Sequence, residues 1–503
     1  MRTTPAAVSL APILLLACSS VSGAGSVQGP GANAKSDEDV LRGSWTHTAP
    51  PPPLQKVPLP APAVTRFALQ NGMRIVVIEQ HRKPVVAVSL VLPRGALADS
   101  TSSGGMTYMA VKLAGDYYEW SLSGEQLYEE KSFRRQVADA GGSARLEIEP
   151  DFSLVRVSGY APDAREYIRM IGEAVARPRH GGRTFTARRH AMLDAIEDLE
   201  SSDPEAMEQL VANAAFGSGH PYARSPLGTV DSVTPMGIEE VVERQLDVFV
   251  PKGATLLVVG DVRPDAVAAA AKAAFGRWDG EPASPLAALP PPTVPGVSTE
   301  VGFLERRSAS TLLVCATRPL SDIRGSDAAL DVLANILGRG PASRLGATLR
   351  DRNGLTYWTS ARVVRRRHAR AFVACSPLKA DQADVGVRLF RDVLEQMREA
   401  PPTAQEVQRA KAVRLAELDA AYDDVFDTSQ EWLRAIALGT GAPRIEEERA
   451  EIASVTAADV HKLARTILAR GSTRWVVSGD RSAAARAVQA NALGQLHWML
   501  AGR

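Results

Sequence analysis

The chain has 503 residues, 45% of them hydrophobic, which is enough to bury more than one core and suggests two to four domains. Its 58 Lys and Arg stand against 57 Asp and Glu, a formal net charge of +1. Bulk charge therefore implies no attraction to nucleic acid or to a membrane surface.

The first residues form a separate unit. Arg2 precedes an apolar run from Ala6 to Leu16, a signal-peptide core too short to span a bilayer. Its end, Leu15-Leu16-Ala17-Cys18-Ser19, resembles a bacterial lipobox, which implies a signal peptide over residues 1–18 and lipidation of Cys18. The alternative is an ordinary signal peptide with a chance cysteine. Ser19 rather than Asp after the cysteine fits an outer-membrane destination facing the periplasm. Residues 19–64 are rich in Ser, Gly, Ala and Pro, cannot build a core, and read as a tether.

Order is expected from near Phe67, with two short strands around an Asn71-Gly72 turn and a buried third strand from Pro84 to Leu92. An aromatic insertion with Tyr117, Tyr118, Trp120 and Tyr128 follows the run Gly105–Lys112 and has no functional account. Gly142 and Ser143 lead into an alternating strand from Ala144, either a plain hairpin edge or one that accepts a peptide. Helices cover about 185–200 and the stretch after Val233-Thr234-Pro235, while Ala254–Asp261 reads as a buried strand. His220 reads as a structural turn histidine.

A Pro-rich connection at 281–296 separates a domain at 65–280 from one at 297–503, and beyond it the pattern begins again. Val455-Thr456 answers Val233-Thr234, and Trp475–Asp480 answers Leu257–Asp261, at an offset of roughly 220 residues that is too long for a solenoid unit. Each copy has strands followed by helical pairs, an α+β arrangement of two homologous domains. Cys315 and Cys375 lie in apolar strand-like runs and read as buried inert thiols, with a single disulfide possible. Arg365-Arg366-Arg367-His368 reads as a solvated turn, or as a surface for an acidic peptide or partner. Thr403 and Glu406 form a capping box for a long helix.

The stretch Gly338–Tyr357 reads as a glycine-rich turn, a helix capped by Ser343 with Leu345 and Leu349 on its buried face, and an Asn353-Gly354 turn into a strand begun by Tyr357. Arg350 lies in the last helical turn, where a cation suits the dipole. Alone, these two residues read as a solvated charge and half-buried packing. The string as a whole, Ser343-Arg344-Leu345, Leu349-Arg350 and Gly354–Tyr357, closely resembles the second-domain signature of the pitrilysin/insulinase-type metallopeptidases, which include the mitochondrial processing peptidases. Leu69–Val77 and His220–Thr229 resemble further parts of that family, and the likeness covers about residues 65 to 490.

The resemblance implies that each domain is a mainly antiparallel sheet packed with helices, the pair forming half of a clamshell. It also implies that Arg350 and Tyr357 hold peptide carbonyl groups, and that the strand after Gly142, Ser143 and Ala144 pairs with extended substrate. The family's His-x-x-Glu-His, which binds zinc and supplies a general base, is missing. Tyr108 and Lys112 stand at the histidine positions, Val111 at the base and Ala195 at the third ligand, with Asp194 and Glu197 nearby. No zinc is expected on this chain. The expectation is a non-zinc subunit whose zinc-bearing partner supplies the metal, or a silent peptide-binding or scaffold lipoprotein.

Overall fold

The computed structural model describes residues 61–498 except 117–118, 124–125, 131, 177, 179–181, 200–202, 283–287, 294–299, 307–308 and 341. Cys18, the signal peptide and residues 19–60 of the tether lie outside the described residues, as do Tyr117 and Tyr118. Strand β1 (Val64–Ala68) opens three residues before Phe67. It returns through Gly72, at φ +84°, into β2 (Arg74–Glu79). Strand β3 (Val85–Leu92) follows, then helix α1 (Met106–Asp116) and a hairpin of β4 (Glu119–Ser123) and β5 (Gln126–Glu130) in the aromatic insertion.

Helix α2 (Phe133–Asp139), strands β6 (Ser143–Ile148) and β7 (Ser153–Tyr160), and helices α3 (Ala164–Ala176), α4 (Gly182–Leu199) and α5 (Asp203–Phe216) come next. Val233-Thr234 closes a short helical turn capped by Thr229. The cap of α6 (Ile238–Val248) is instead Gly237, whose N–H donates to Glu240 Oε2. Strand β8 (Thr255–Gly260) and helix α7 (Pro264–Phe275) complete this half.

The second half runs β9 (Glu300–Glu305), β10 (Thr311–Pro319), α8 (Asp327–Gly338), β11 (Ser360–Arg365) and β12 (Arg370–Lys379). It ends with α9 (Ala383–Glu399), α10 (Ala404–Ala420), α11 (Val425–Ala437), α12 (Ile445–Ser454), α13 (Ala457–Ile467), β13 (Arg474–Gly479), α14 (Arg481–Ala490) and β14 (Gln495–Trp498). The two six-stranded sheets have the orders β1-β2-β8-β3-β7-β6 and β14-β9-β13-β10-β12-β11. Strand β8 runs parallel to β2 and antiparallel to β3, as β13 runs parallel to β9 and antiparallel to β10. The outermost strands differ, since β1 is antiparallel to β2 and β14 is parallel to β9.

Each half lends a helix to the other's sheet. Trp432, Leu433 and Ile436 of α11 pack on Val76, Ile78, Leu257 and Val259 of the first sheet. Met207, Leu210, Val211 and Ala214 of α5 pack on Leu304, Val373 and Val476 of the second. Each large side chain so buried contributes about 1.5–3 kcal/mol, so the exchange ties the halves into one folded body.

The cysteines also meet under α5, where they form a disulfide rather than remaining inert thiols. Cys315 and Cys375 are direct cross-strand neighbours in β10 and β12, with Cα atoms 4.2 Å apart. The basic run at 365–368 is likewise no solvated turn. Arg365 pairs with Asp331 at 2.9 Å and Arg366 with Glu149 at 2.8 Å, while Arg367 N donates to Asp151 Oδ2. Its acidic partners lie in the same chain.

Candidate functional site

The family's metal position falls on α1. Gly105 starts this helix at φ +85°, where a Cβ would lie 2.4 Å from Leu227 O, so only glycine lets the two segments approach this closely. Asp99 caps the helix from outside, accepting from Thr107 N at 3.1 Å and Thr107 Oγ1 at 2.7 Å. Burial pushes its carboxyl up to about 6, against the pull of Thr107 and Arg244.

One turn further, Tyr108, Val111 and Lys112 are all buried. The Lys112 ammonium sits 5.1 Å from the Tyr108 ring centroid and donates to Leu146 O at 2.5 Å. Desolvation first, and then the charges of Arg134 and Arg188, bring its pKa down to about 8. Burial pushes the Tyr108 phenol up. On α4 Ala195 is half-buried, while Asp194 and Glu197 are exposed. These residues do not fit a zinc ion: two ligand positions hold a protonated phenol and an ammonium, and the third holds a methyl group.

The carbonyl reached by Lys112 belongs to an edge strand, since among the described residues β6 pairs only with β7. Glu149 N donates to Phe152 O at 2.9 Å, which sets the alternation along this hairpin. The non-hydrogen-bonded pairs are then Ile148/Ser153, Leu146/Val155 and Ala144/Val157, so Ala144, Leu146 and Ile148 turn their backbone groups to the free edge. Ser143 is exposed at the strand's start. Gly142 lies before the strand and spends its N–H on Val137 O, at the end of α2.

The second cluster lies between α8 and β11. Gly338 ends α8 where a Cβ would come 2.7 Å from Ala361 N. Ser343 Oγ donates to Gly340 O and accepts from Gly346 N, and Leu345 and Leu349 are fully buried. The segment Gly346–Arg352 is a π-helix, not the expected α-helix. Its wider winding surrounds a glycine and ends with Leu355 N donating to Leu349 O and Asn353 Nδ2 to Thr348 O. Arg344 fixes its start through a two-pronged pair with Glu406, at 2.7 and 3.0 Å. The Arg344 guanidinium holds the Glu406 carboxyl down at about 2.

Tyr357 does not begin a strand. It stands three residues before β11, 88% exposed, on a bend where Thr356 Oγ1 donates to Trp358 O and accepts from Trp358 N. Backbone groups otherwise left for solvent are satisfied inside the bend, and the phenol points out. Arg350 is 37% exposed in its side chain and its Nε donates to Asp351 Oδ1 at 2.8 Å. Among the described residues no hydrogen bond joins Arg350 to Tyr357. Sequence reasoning found both residues but missed Arg344, whose partner Glu406 lies 62 positions away with only the capping box as a signal. It also missed the contact of Lys112 with Leu146.

Two repeated α+β halves, each a six-stranded sheet with β8 parallel to β2 or β13 parallel to β9, define a peptidase-type fold, and among the described residues no cluster of His, Cys, Asp or Glu could hold a metal. The model of the peptidase M16 inactive domain matches residues 238–414. An uncharacterized zinc protease of Streptomyces coelicolor is 24% identical over 299 residues, which are 58% of this chain and 63% of that protein, so the chain spans under two thirds of this relative. A putative M16-like peptidase from Alicyclobacillus acidocaldarius superposes with a TM-score of 0.72 at 14% identity, over 84% of this chain and 99% of the other. The peptidase M16 inactive domain from Pseudomonas fluorescens superposes with a TM-score of 0.69 at 17% identity, over 83% and 98%. At these identities the solved structures speak for the fold.

Residues 238–414 thus match the inactive domain of the M16 peptidases, and the chain is similar to the pitrilysin/insulinase-type family while lacking His-x-x-Glu-His and carrying Arg350 and Tyr357 at the Arg/Tyr positions.

Proposed function

We propose that this chain is the non-zinc subunit of a heteromeric pitrilysin-like peptidase in a bacterial cell envelope. In this reading it binds extended peptide and presents Arg350 and Tyr357 to the active site of a zinc-bearing partner. The observation that carries the reading is an asymmetry. The position matching the family's metal site is filled and buried by Tyr108 and Lys112, while Tyr357 stands 88% exposed on a braced bend, with no hydrogen bond from its phenol among the described residues.

A guanidinium and a phenol can fix a peptide and donate to the oxyanion that develops on its carbonyl. The metal that polarises the carbonyl and supplies water belongs to the partner in this reading. Extended substrate would pair along the outward backbone of β6 at Ala144, beside Gly142 and Ser143. The Cys315–Cys375 disulfide supports an oxidising compartment, and Cys18 would carry the lipid that anchors the chain to the outer membrane, facing the periplasm.

A second reading, a silent peptide-binding or scaffold lipoprotein, draws on the Arg350 pair with Asp351, which occupies one face of the guanidinium. The test is co-purification with the candidate zinc-bearing subunit, followed by peptide cleavage and metal analysis of each chain alone and of the mixture. Cleavage confined to the mixture, with zinc only on the partner, supports the shared-site reading. A partner fully active alone leaves the scaffold.

A further inference from the structure

The free edge of β6 is not uniform. Its outward backbone groups fall at Ala144, Leu146 and Ile148. At the middle position the carbonyl already carries a charge-assisted bond from Lys112, an ammonium that is only 6% exposed and held against the Tyr108 ring. A lysine turned onto a sheet edge is one of the devices that blunt strand addition. Here it acts at one residue, Leu146, between a part-exposed Ala144 and an Ile148 that is 4% exposed.

An antiparallel strand added to this edge exchanges two hydrogen bonds with each of Ala144, Leu146 and Ile148. Opposite Leu146 the incoming N–H meets an acceptor whose charge is drawn toward a buried ammonium, and it gains little. The incoming C=O still receives Leu146 N–H. A residue without an N–H loses nothing at that register, and proline is the natural residue of that kind.

We propose that Lys112 is a specificity-determining residue of the β6 edge, and that by occupying Leu146 O it makes the edge a receptor for extended peptide with proline opposite Leu146. This rests on strand addition at β6, the peptide-binding part of the function proposed above. Lys112, in this assignment, converts the family's metal position from a reactive centre into a filter on peptide sequence.

The experiment uses the full chain and fluorescein-labelled twelve-residue Ser/Thr/Val peptides, each with one proline at a successive position, read by fluorescence polarisation. Proline is tolerated wherever the peptide N–H faces away from β6, and among the positions whose N–H faces β6 one should accept it in the wild-type chain with less than about a twofold change in Kd. Positions two residues to either side should weaken about fivefold or more, the worth of a lost hydrogen bond. In Lys112→Met, which frees Leu146 O, proline at the tolerant position should weaken binding to the same extent. Proline equally costly at every position whose N–H faces β6 overturns the assignment, whether or not the variant folds, and so does tolerance at the Leu146 register that survives Lys112→Met. Hydrogen exchange at the Ala144, Leu146 and Ile148 amides separates the two ideas. Peptide bound without their protection, or no binding by any member of the series, removes strand addition itself and this assignment with it.

Discussion

The helix that follows β3 in the first half and β10 in the second, α1 and α8, has been put to opposite uses in the two copies. In the first half α1 turns its polar residues inward: Lys112 is 6% exposed, and its ammonium is consumed by Tyr108 and Leu146 O. In the second half α8 is buried almost throughout, ends at Gly338, and hands the chain to a π-helix and bend that leave Tyr357 88% and Trp358 45% exposed. One repeat has closed its chemistry and the other has opened it. The same scaffold can therefore bury the metal position in one copy and expose a phenol in the other, because the two lie on different copies of the fold.

The reciprocal helices set how far the halves can be separated, and their removal should have the largest effect on stability. Trp432→Ala empties the contact of α11 with the first sheet and should cost about 3–5 kcal/mol, read as a fall in Tm of the whole chain. Two separate transitions in the wild-type protein would instead mean that the exchange does not couple the halves. A smaller loss, about 2–4 kcal/mol, is expected from Cys315→Ala with Cys375→Ala, which opens the cross-strand link under α5. Equal denaturation midpoints for the double variant and the oxidised wild type would contradict it.

The smallest effect separates the halves by pH. Glu406 is held at about 2, below its ordinary 4.5, mainly by Arg344. A depressed carboxylate contributes stability that is complete above its unfolded value and is lost as pH falls from about 4.5 toward 2. Arg344→Gln should flatten that acid limb in urea titrations. Wild type and variant falling in parallel would show that the pair does not hold the π-helix.

The repeat was legible because its signals are local and strong. Asn71-Gly72 and the two Gly-Asp strand ends fix backbone geometry within a few residues, and each falls at an element boundary in the structure. The buried face of Leu345 and Leu349 was equally plain from spacing, but the π winding was not. It depends on how Gly346 and the Leu349–Leu355 bond accommodate an extra residue, a choice made by tertiary packing. Arg365–His368 was misread for a related reason: its anions, Asp331, Glu149 and Asp151, lie far away in sequence, so a solvated run and a docked one look alike. At the metal position the missing ligands could be read directly. Where the replacing lysine would point could not.

The most direct test of the central claim is peptide turnover by this chain mixed with the proposed zinc-bearing partner, with Tyr357→Phe in this chain. Tyr357 is too exposed for its hydroxyl to hold the fold, so Tm should not move, while loss of an oxyanion donor should lower kcat by about 10²–10³-fold. Unchanged cleavage by the Tyr357→Phe mixture would contradict the account and leave this chain as a scaffold.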